Sequence, residues 1–157
     1  MASMKGIEVK ALKEFRGHEG EPLWQGNIYM DGKKVGYYSD DAHGGMAIVD
    51  IYPREYREEF EKRTKDYTEK CTFNGVTLEL KGEEHFMSAL VDLLLTEKRY
   101  KTGAKKGKDV LMDFIDKNYG MVESYLAIPA HMLGAAKEKY KDKDTKVYTS
   151  LDDFVLN

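Results

Sequence analysis

A chain of 157 residues is long enough to bury a core of its own, and a single cysteine, Cys71, excludes both an internal disulfide and a cysteine-built zinc cage. Charged residues at 34% and hydrophobic ones at 41% exclude a disordered chain, and a formal net charge of −3 supplies no global field to draw it to DNA or an acidic membrane. The lone cysteine fits a reducing, cytoplasmic setting, and no apolar run approaches the roughly 18 residues of a membrane span.

The opening MASMKG lacks an apolar signal core and reads as vector-derived or disordered over residues 1–5, ahead of one globular domain. Residues 7–15, IEVKALKEF, read as the first strand, although Ala11-Leu12-Lys13 suits a helix equally. Glycine and proline make residues 16–22 a loop. A β-hairpin follows, turning at Asp31-Gly32, a dipeptide that accepts positive φ at both central positions of a type I′ turn. Uninterrupted pairing from that turn sets Ile28, Gly26 and Trp24 against Val35, Tyr37 and Ser39 on an apolar face, with the ring of Tyr37 over Gly26. Gln25, Asn27 and Tyr29 then share the other face with Tyr38, Gly36 and Lys34.

A polar turn, SDDAHGG, precedes a strand over residues 46–52, and Pro53 suits the first turn of a helix running to about residue 70. Tyr56, Phe60, Arg63 and Tyr67 recur along it at helical spacing. Asn74-Gly75 marks a second tight turn between two short strands. Residues 83–97 hold the most apolar helix, with Phe86, Leu90, Leu93 and Leu94 in a stripe wide enough to make it the core helix. Residues 98–108, KRYKTGAKKGK, carry six basic side chains and no acidic one, and read as a mobile loop. Residues 109–116 and 121–128 suit either helix or strand, and the Asn118-Tyr119-Gly120 turn between them favours a second hairpin. Pro129 opens a helix to about residue 141 that turns Met132, Leu133, Ala136 and Tyr140 inward, and the tail TKVYTSLDDFVLN docks as a strand. The expected fold is α+β: a mainly antiparallel sheet of about five to seven strands covered on one face by about three helices.

Two constellations carry chemistry. His18-Glu19 in the first loop and Asp40, Asp41 and His43 in the loop after the hairpin belong at the same end of the sheet. Such a set can ligate a transition metal or serve as acid and base in a metal-dependent hydrolase. The same residue types also populate turns because they cap backbone N–H groups. The second is a recognition surface. Eleven tyrosines are many for this length, and Tyr29 and Tyr38 join Trp24, Gln25 and Asn27 beside the hairpin, residue types that bind proteins or stacked bases. Lys98, Arg99, Lys101, Lys105, Lys106 and Lys108 are placed to reach phosphates of RNA or DNA, or an acidic protein patch. Gly103-Ala-Lys-Lys-Gly107-Lys108 is one residue too short for a nucleotide-hydrolysing phosphate loop, and Asp109 stands where the metal-binding hydroxyl belongs. His85, His131 and Cys71 read as capping, surface and structural residues, and no cofactor is expected.

The run FRGHEGEPLWQGNIYMDGKKVGYYSDDAHGG resembles the opening of short accessory proteins of tailed bacteriophages, over about residues 12–52. That resemblance implies a small cytoplasmic protein made in an infected host, where it binds and inhibits a host protein or ribonucleoprotein such as a CRISPR nuclease or restriction enzyme. It carries over no catalytic residues. The sequence therefore points first to a non-catalytic binder using Trp24, Gln25, Asn27, Tyr29, Tyr38 and the basic segment. A metal-dependent hydrolase and a sponge for a nucleotide signal are the alternatives.

Overall fold

The computed structural model describes residues 1–40, 47–118 and 120–157, with the backbone alone for residues 71–73. Its described residues form three helices and eleven strands in mostly antiparallel sheets, the expected α+β class. The main sheet takes six strands: β1 (Ser3–Met4), β2 (Ile7–Arg16), β3 (Pro22–Met30), β4 (Lys33–Ser39), β5 (Ile48–Ile51) and β11 (Val155–Leu156), in the order β11-β1-β2-β3-β4-β5. Within it only β1 and β11 run parallel, with Ser3 opposite Val155 and Met4 opposite Leu156. Residues 3 and 4 thus pair into the sheet where disorder is expected, and Ala2, Ser3 and Met4 are buried.

The β3–β4 hairpin turns where the sequence places it, with φ of 51° at Asp31 and 81° at Gly32. Tyr29 pairs with Lys34 as expected, but a bulge follows: Ile28 pairs with Gly36 and Gly26 with Tyr38. Val35 is the extra residue. Strict alternation puts positions 35 and 38 on opposite faces, yet both Val35 and Tyr38 are core residues, at 2% and 4% exposure. One inserted residue reconciles them. Beyond it the faces exchange, so Tyr38 points into the core and Tyr37 outward, the reverse of the uninterrupted register. Gly26 is covered by Val9, whose Cγ1 lies 2.6 Å from where a Cβ would stand, and not by the Tyr37 ring. Gly36 has no alternative, because a Cβ there would meet the Asp50 carbonyl oxygen at 2.0 Å.

Helix α1 (Arg54–Thr64) is shorter than the expected 53–70, because residues 68–73 pair instead. They form β6 (Thr68–Phe73), which turns at Asn74 and Gly75, with φ of 48° and 79°, into β7 (Val76–Lys81). A tight Asn-Gly turn demands two equal arms, and that demand overrides the helical spacing through Tyr67. Phe60 holds α1 to the core at 0% exposure. Arg63 closes its other end, its two terminal nitrogens donating to both carboxylate oxygens of Asp31 at 2.9 and 2.6 Å.

The core helix is α2 (Glu83–Ala104). Phe86, Met87, Leu90 and Leu94 join Ile7, Val9, Ile28 and Phe154 in one buried cluster. The helix continues through residues 98–104, so that part of the basic segment is helical rather than a mobile loop. Tyr100 and Gly103 are buried, and the Tyr100 hydroxyl donates to the Thr149 carbonyl at 3.0 Å. The Gly103 carbonyl accepts from the N–H groups of Lys106 and Lys108, both at 2.9 Å, in a turn completed by Gly107 at φ 78°. Basic side chains gather here because the last turn of a helix favours positive charge.

On the far side of α2 lies a three-stranded sheet, β10-β8-β9, built from β8 (Val110–Ile115), β9 (Val122–Ile128) and β10 (Thr145–Tyr148). Strand β8 is buried on both faces. Leu111 belongs to the α2 cluster, while Val110, Met112 and Phe114 join Ile128 and Ala136 in a second cluster that includes α3 (Leu133–Lys139). The helix expected from Pro129 begins as a 3-10 turn over Ala130–Met132, which leaves Met132 exposed while Leu133, Ala136 and Tyr140 turn inward.

The exchange of faces at Val35 is directly testable. Tyr38→Ala is expected to cost about 3 kcal/mol in urea unfolding, the range for emptying an aromatic core site. Tyr37→Ala should change stability by no more than about 0.5 kcal/mol, as for an exposed position. The uninterrupted register requires the opposite ranking.

Candidate functional site

The residues singled out from the sequence do not form one surface. Gln25, Asn27 and Tyr29 lie half-buried on the outer face of the main sheet, where Tyr37, rather than Tyr38, joins them. The Tyr37 hydroxyl donates to Gln25 Oε1 at 2.7 Å, and the Lys10 ammonium stands 4.4 Å from the Tyr29 ring centre. Tyr38 is removed from any such surface by burial, and Trp24 packs against the α2 cluster. Lys98, Lys101, Lys105, Lys106 and Lys108 are exposed at the end of α2, which packs on the opposite, inner face of the main sheet. The sheet therefore separates the tyrosine face from the basic segment. Lys101 pairs with Glu97 at 3.2 Å, and Arg99 turns away from the lysines towards β8.

Of the two polar loops, His18-Glu19 and the described residue Asp40 share an end of the sheet. The Asp40 N–H donates to the Trp24 carbonyl at 2.9 Å, and β2 and β3 extend past Trp24 to pair Arg16 with Pro22 before the His18-Glu19 loop. Asp41 and His43 lie outside the described residues. Among the described residues no group of three or more His, Cys, Asp or Glu side chains is placed to hold a metal ion.

The concave site is elsewhere. A cleft of about 660 Å³ opens between α2, the start of β6 and strand β9. Its floor is a cross-strand row in which Asp113 of β8 pairs with Lys146 of β10 on one side and Tyr125 of β9 on the other. Side chains paired in this way stand on one face, here the face towards α2. Arg99 reaches down from the helix to that row. Its Nη2 donates to Thr96 Oγ1 at 3.1 Å and makes a long contact to Asp113 Oδ2 at 3.5 Å, and its guanidinium carbon lies 5.2 Å from the Tyr125 ring centre. The Thr96 hydroxyl can accept from Arg99 because its own proton goes to the Asp92 carbonyl at 2.8 Å. Asp113 is 1% exposed, and its Oδ1, like Arg99 Nε, is buried with no hydrogen-bond partner among the described residues. A buried carboxylate oxygen without a donor is costly, and such atoms collect where a structure does something besides fold.

The cleft wall formed by β9 has an unusual pattern. Residues Gly120, Met121, Val122, Glu123, Ser124 and Tyr125 all line it in succession. Neighbouring side chains of a strand point to opposite faces, so a cavity over one face is lined by every second residue. Within β9 the bulge at Glu123 breaks that alternation, so Val122 and Tyr125 both stand on the face of Asp113 and Ile115, and the cleft lies over that face and reaches out to β9. Among the described residues β9 is an edge strand, paired with β8 alone, and residues 121–125 are all exposed. Met121 at 68%, Val122 at 44% and Tyr125 at 56% give that edge an apolar rim.

Burial shapes the ionisable groups of the floor. It pushes Asp113 above the ordinary carboxylate range, a shift that the positive charges of Arg99 and Lys146 reduce without cancelling. Burial, and then the neighbouring Asp113 charge, pushes the Tyr148 hydroxyl up to about 12. On the opposite wall, burial and the Glu69 carboxylate push Tyr67 to about 12. Both hydroxyls are thus donors at neutral pH.

No protein-family model matches the chain. No curated protein matches its sequence, and no solved structure matches its fold. No helix among the described residues is long and apolar enough to cross a membrane.

The floor carries a pH signature. A carboxyl whose pKa is raised on folding binds its proton more tightly in the native state. Its contribution to stability is therefore complete below the unfolded value of about 3.9 and is lost as pH rises through the folded value. Asp113→Asn removes that loss. The stability of the variant relative to the parent should rise with pH across this window and then level off, as read from urea unfolding at a series of pH values. Taking the difference cancels the opposite trend from Asp31 and Asp153. Those two are lowered, by the Arg63 hydrogen bonds and by the Thr149 and Ser150 N–H groups respectively, and they lose stability as pH falls. A pH-independent difference would mean that Asp113 is not strained by its burial.

Proposed function

We propose that this chain is a non-catalytic binding protein that captures an extended segment of another protein along the free edge of β9. The observation that supports the reading is that β9 pairs on one side only, with β8, among the described residues, while Met121, Val122 and Tyr125 line the cleft and are exposed. An edge strand left open in this way is a template for one more strand. Main-chain hydrogen bonds supply affinity, and alternate side chains of the incoming segment supply specificity. Natural proteins usually blunt such edges, and here Glu123, at the bulge between Phe114 and Ile115 where β8 meets β9, is the one charge on the exposed run. Met121, Val122 and Tyr125 are anchors of the adaptable and aromatic kinds that dominate protein interfaces.

We further propose that the captured partner is a host protein, held so that its own activity is blocked, as the resemblance of residues 12–52 to phage accessory proteins implies. In this reading Lys98, Lys105, Lys106 and Lys108, exposed beside the α2 terminus, meet an acidic or phosphate-bearing patch of the partner that lies apart from the segment held at β9.

Panning a library of random 12-residue peptides against the purified chain tests capture while leaving the partner's identity open. Selected peptides should slow hydrogen exchange at the amides of residues 120–125. Tyr125→Ala should weaken their binding by about 1–3 kcal/mol while leaving the protein folded. Peptides that protect the outer face around Gln25 and Tyr29 instead would move the recognition surface back to the main sheet.

A further inference from the structure

We infer that the cleft selects a basic side chain: a lysine or arginine of the captured segment enters over Tyr125 and donates to Asp113 Oδ1. The inference rests on the capture reading above and names what is captured. Four features of the molecule converge on it.

The first is the vacant acceptor. Asp113 is buried at 1% exposure at the base of the cleft, and its Oδ1 has no donor among the described residues. The nearest cation, Arg99, reaches only the other oxygen, at 3.5 Å, while sharing the same nitrogen with Thr96. A carboxylate accepts several hydrogen bonds, so the accepting capacity of Oδ1 is unspent after Arg99 has made its contact.

The second is charge. The cleft is lined by Glu69, Asp92, Asp113 and Glu123 against Arg99 and Lys146. Negative charge exceeds positive, and Arg99 is already committed to Thr96 and Asp113. An incoming cation is attracted and an incoming carboxylate or phosphate is repelled.

The third is register. Asp113 lies directly opposite Tyr125 across β8 and β9. A residue of an added strand placed opposite Tyr125 projects to the same face as Asp113, two strand spacings away. That separation is roughly 10 Å, and among ordinary side chains it calls for the long reach of lysine or arginine. The fourth is the surface along the path. The Tyr125 ring, whose centre the Arg99 guanidinium already approaches at 5.2 Å, lies between the two positions and offers an apolar bed for the side-chain stem.

A second copy of this chain is the obvious competing occupant, since two β9 edges can pair antiparallel. That arrangement sets two clefts of the same negative excess together, and like charges placed opposite one another are unfavourable.

The decisive experiment is a double-substitution cycle with peptides from the 12-residue library, labelled with fluorescein and followed by anisotropy. Selected peptides should share a lysine or arginine at one position, and replacing it by methionine should weaken binding to the parent chain by about tenfold or more. The same replacement should have no effect on binding to Asp113→Asn, with Asp113→Ser as a second neutral variant should the first fail to fold. Peptides that protect β9 but carry no basic residue, or a replacement that costs as much on Asp113→Asn as on the parent, overturn the role of Asp113 and leave capture at β9 intact. Failure to select any peptide that protects β9, or concentration-dependent dimerisation through β9 in sedimentation without peptide, overturns the capture reading itself.

Discussion

Burial of α2 on opposite sides of its girth is the constraint on which the rest of this structure depends. One side carries Phe86, Leu90 and Leu94 into the six-stranded sheet, and the C-terminal half reaches the three-stranded sheet through Tyr100 and Arg99. Neither sheet closes on itself, and each turns an apolar face to this helix, with Phe60 of α1 completing the cover of the larger one. A helix apolar around much of its circumference is insoluble alone, so the two sheets and the helix stabilise one another or do not form. The helix also positions the cleft, because Asp92, Thr96 and Arg99 occupy the turns that pass over Asp113.

Much of this architecture was legible in the sequence, wherever a local rule had no competitor. The two type I′ turns at Asp31-Gly32 and Asn74-Gly75 needed only their dipeptides. The core helix needed only its wide stripe, and the Val110–Ile115 and Val122–Ile128 hairpin followed from the turn between them. Failures arose where a tertiary demand opposed a local one. The bulge at Val35 exists because two core positions are separated by an odd number of residues, and hairpin pairing read from the turn outward cannot anticipate it. The ends of both long helices were misplaced for related reasons. Residues 68–73 were drawn into a strand by the turn that follows them, and residues 98–104 were held helical by packing of Tyr100 and Gly103 despite their dense positive charge.

The candidate site was less legible than the fold. Its members come from α2, the start of β6, β8, β9 and β10, and elements so far apart in the chain give no local motif to find. One signal was present: Asp113 interrupts VLMDFI, an otherwise apolar run. An acid in a strand that alternates between two buried faces has no route to solvent, and that alone marks it for a partner or a task. Tyrosine content, by contrast, marks no surface by itself. Tyr38, Tyr100 and Tyr148 serve the core, and abundance of a ring type does not distinguish a core from an interface.

Strand β8 stands between two packed layers, with Leu111 against one helix and Val110, Met112 and Phe114 against the other. A wall clamped from both sides has little freedom to shift when something arrives at its edge. Asp113 is therefore held in a position set during folding. Under the proposed capture, a mould of that kind would favour quick, discriminating association over slow adaptation, and would tie the fidelity of recognition to the solidity of the α3 layer behind it.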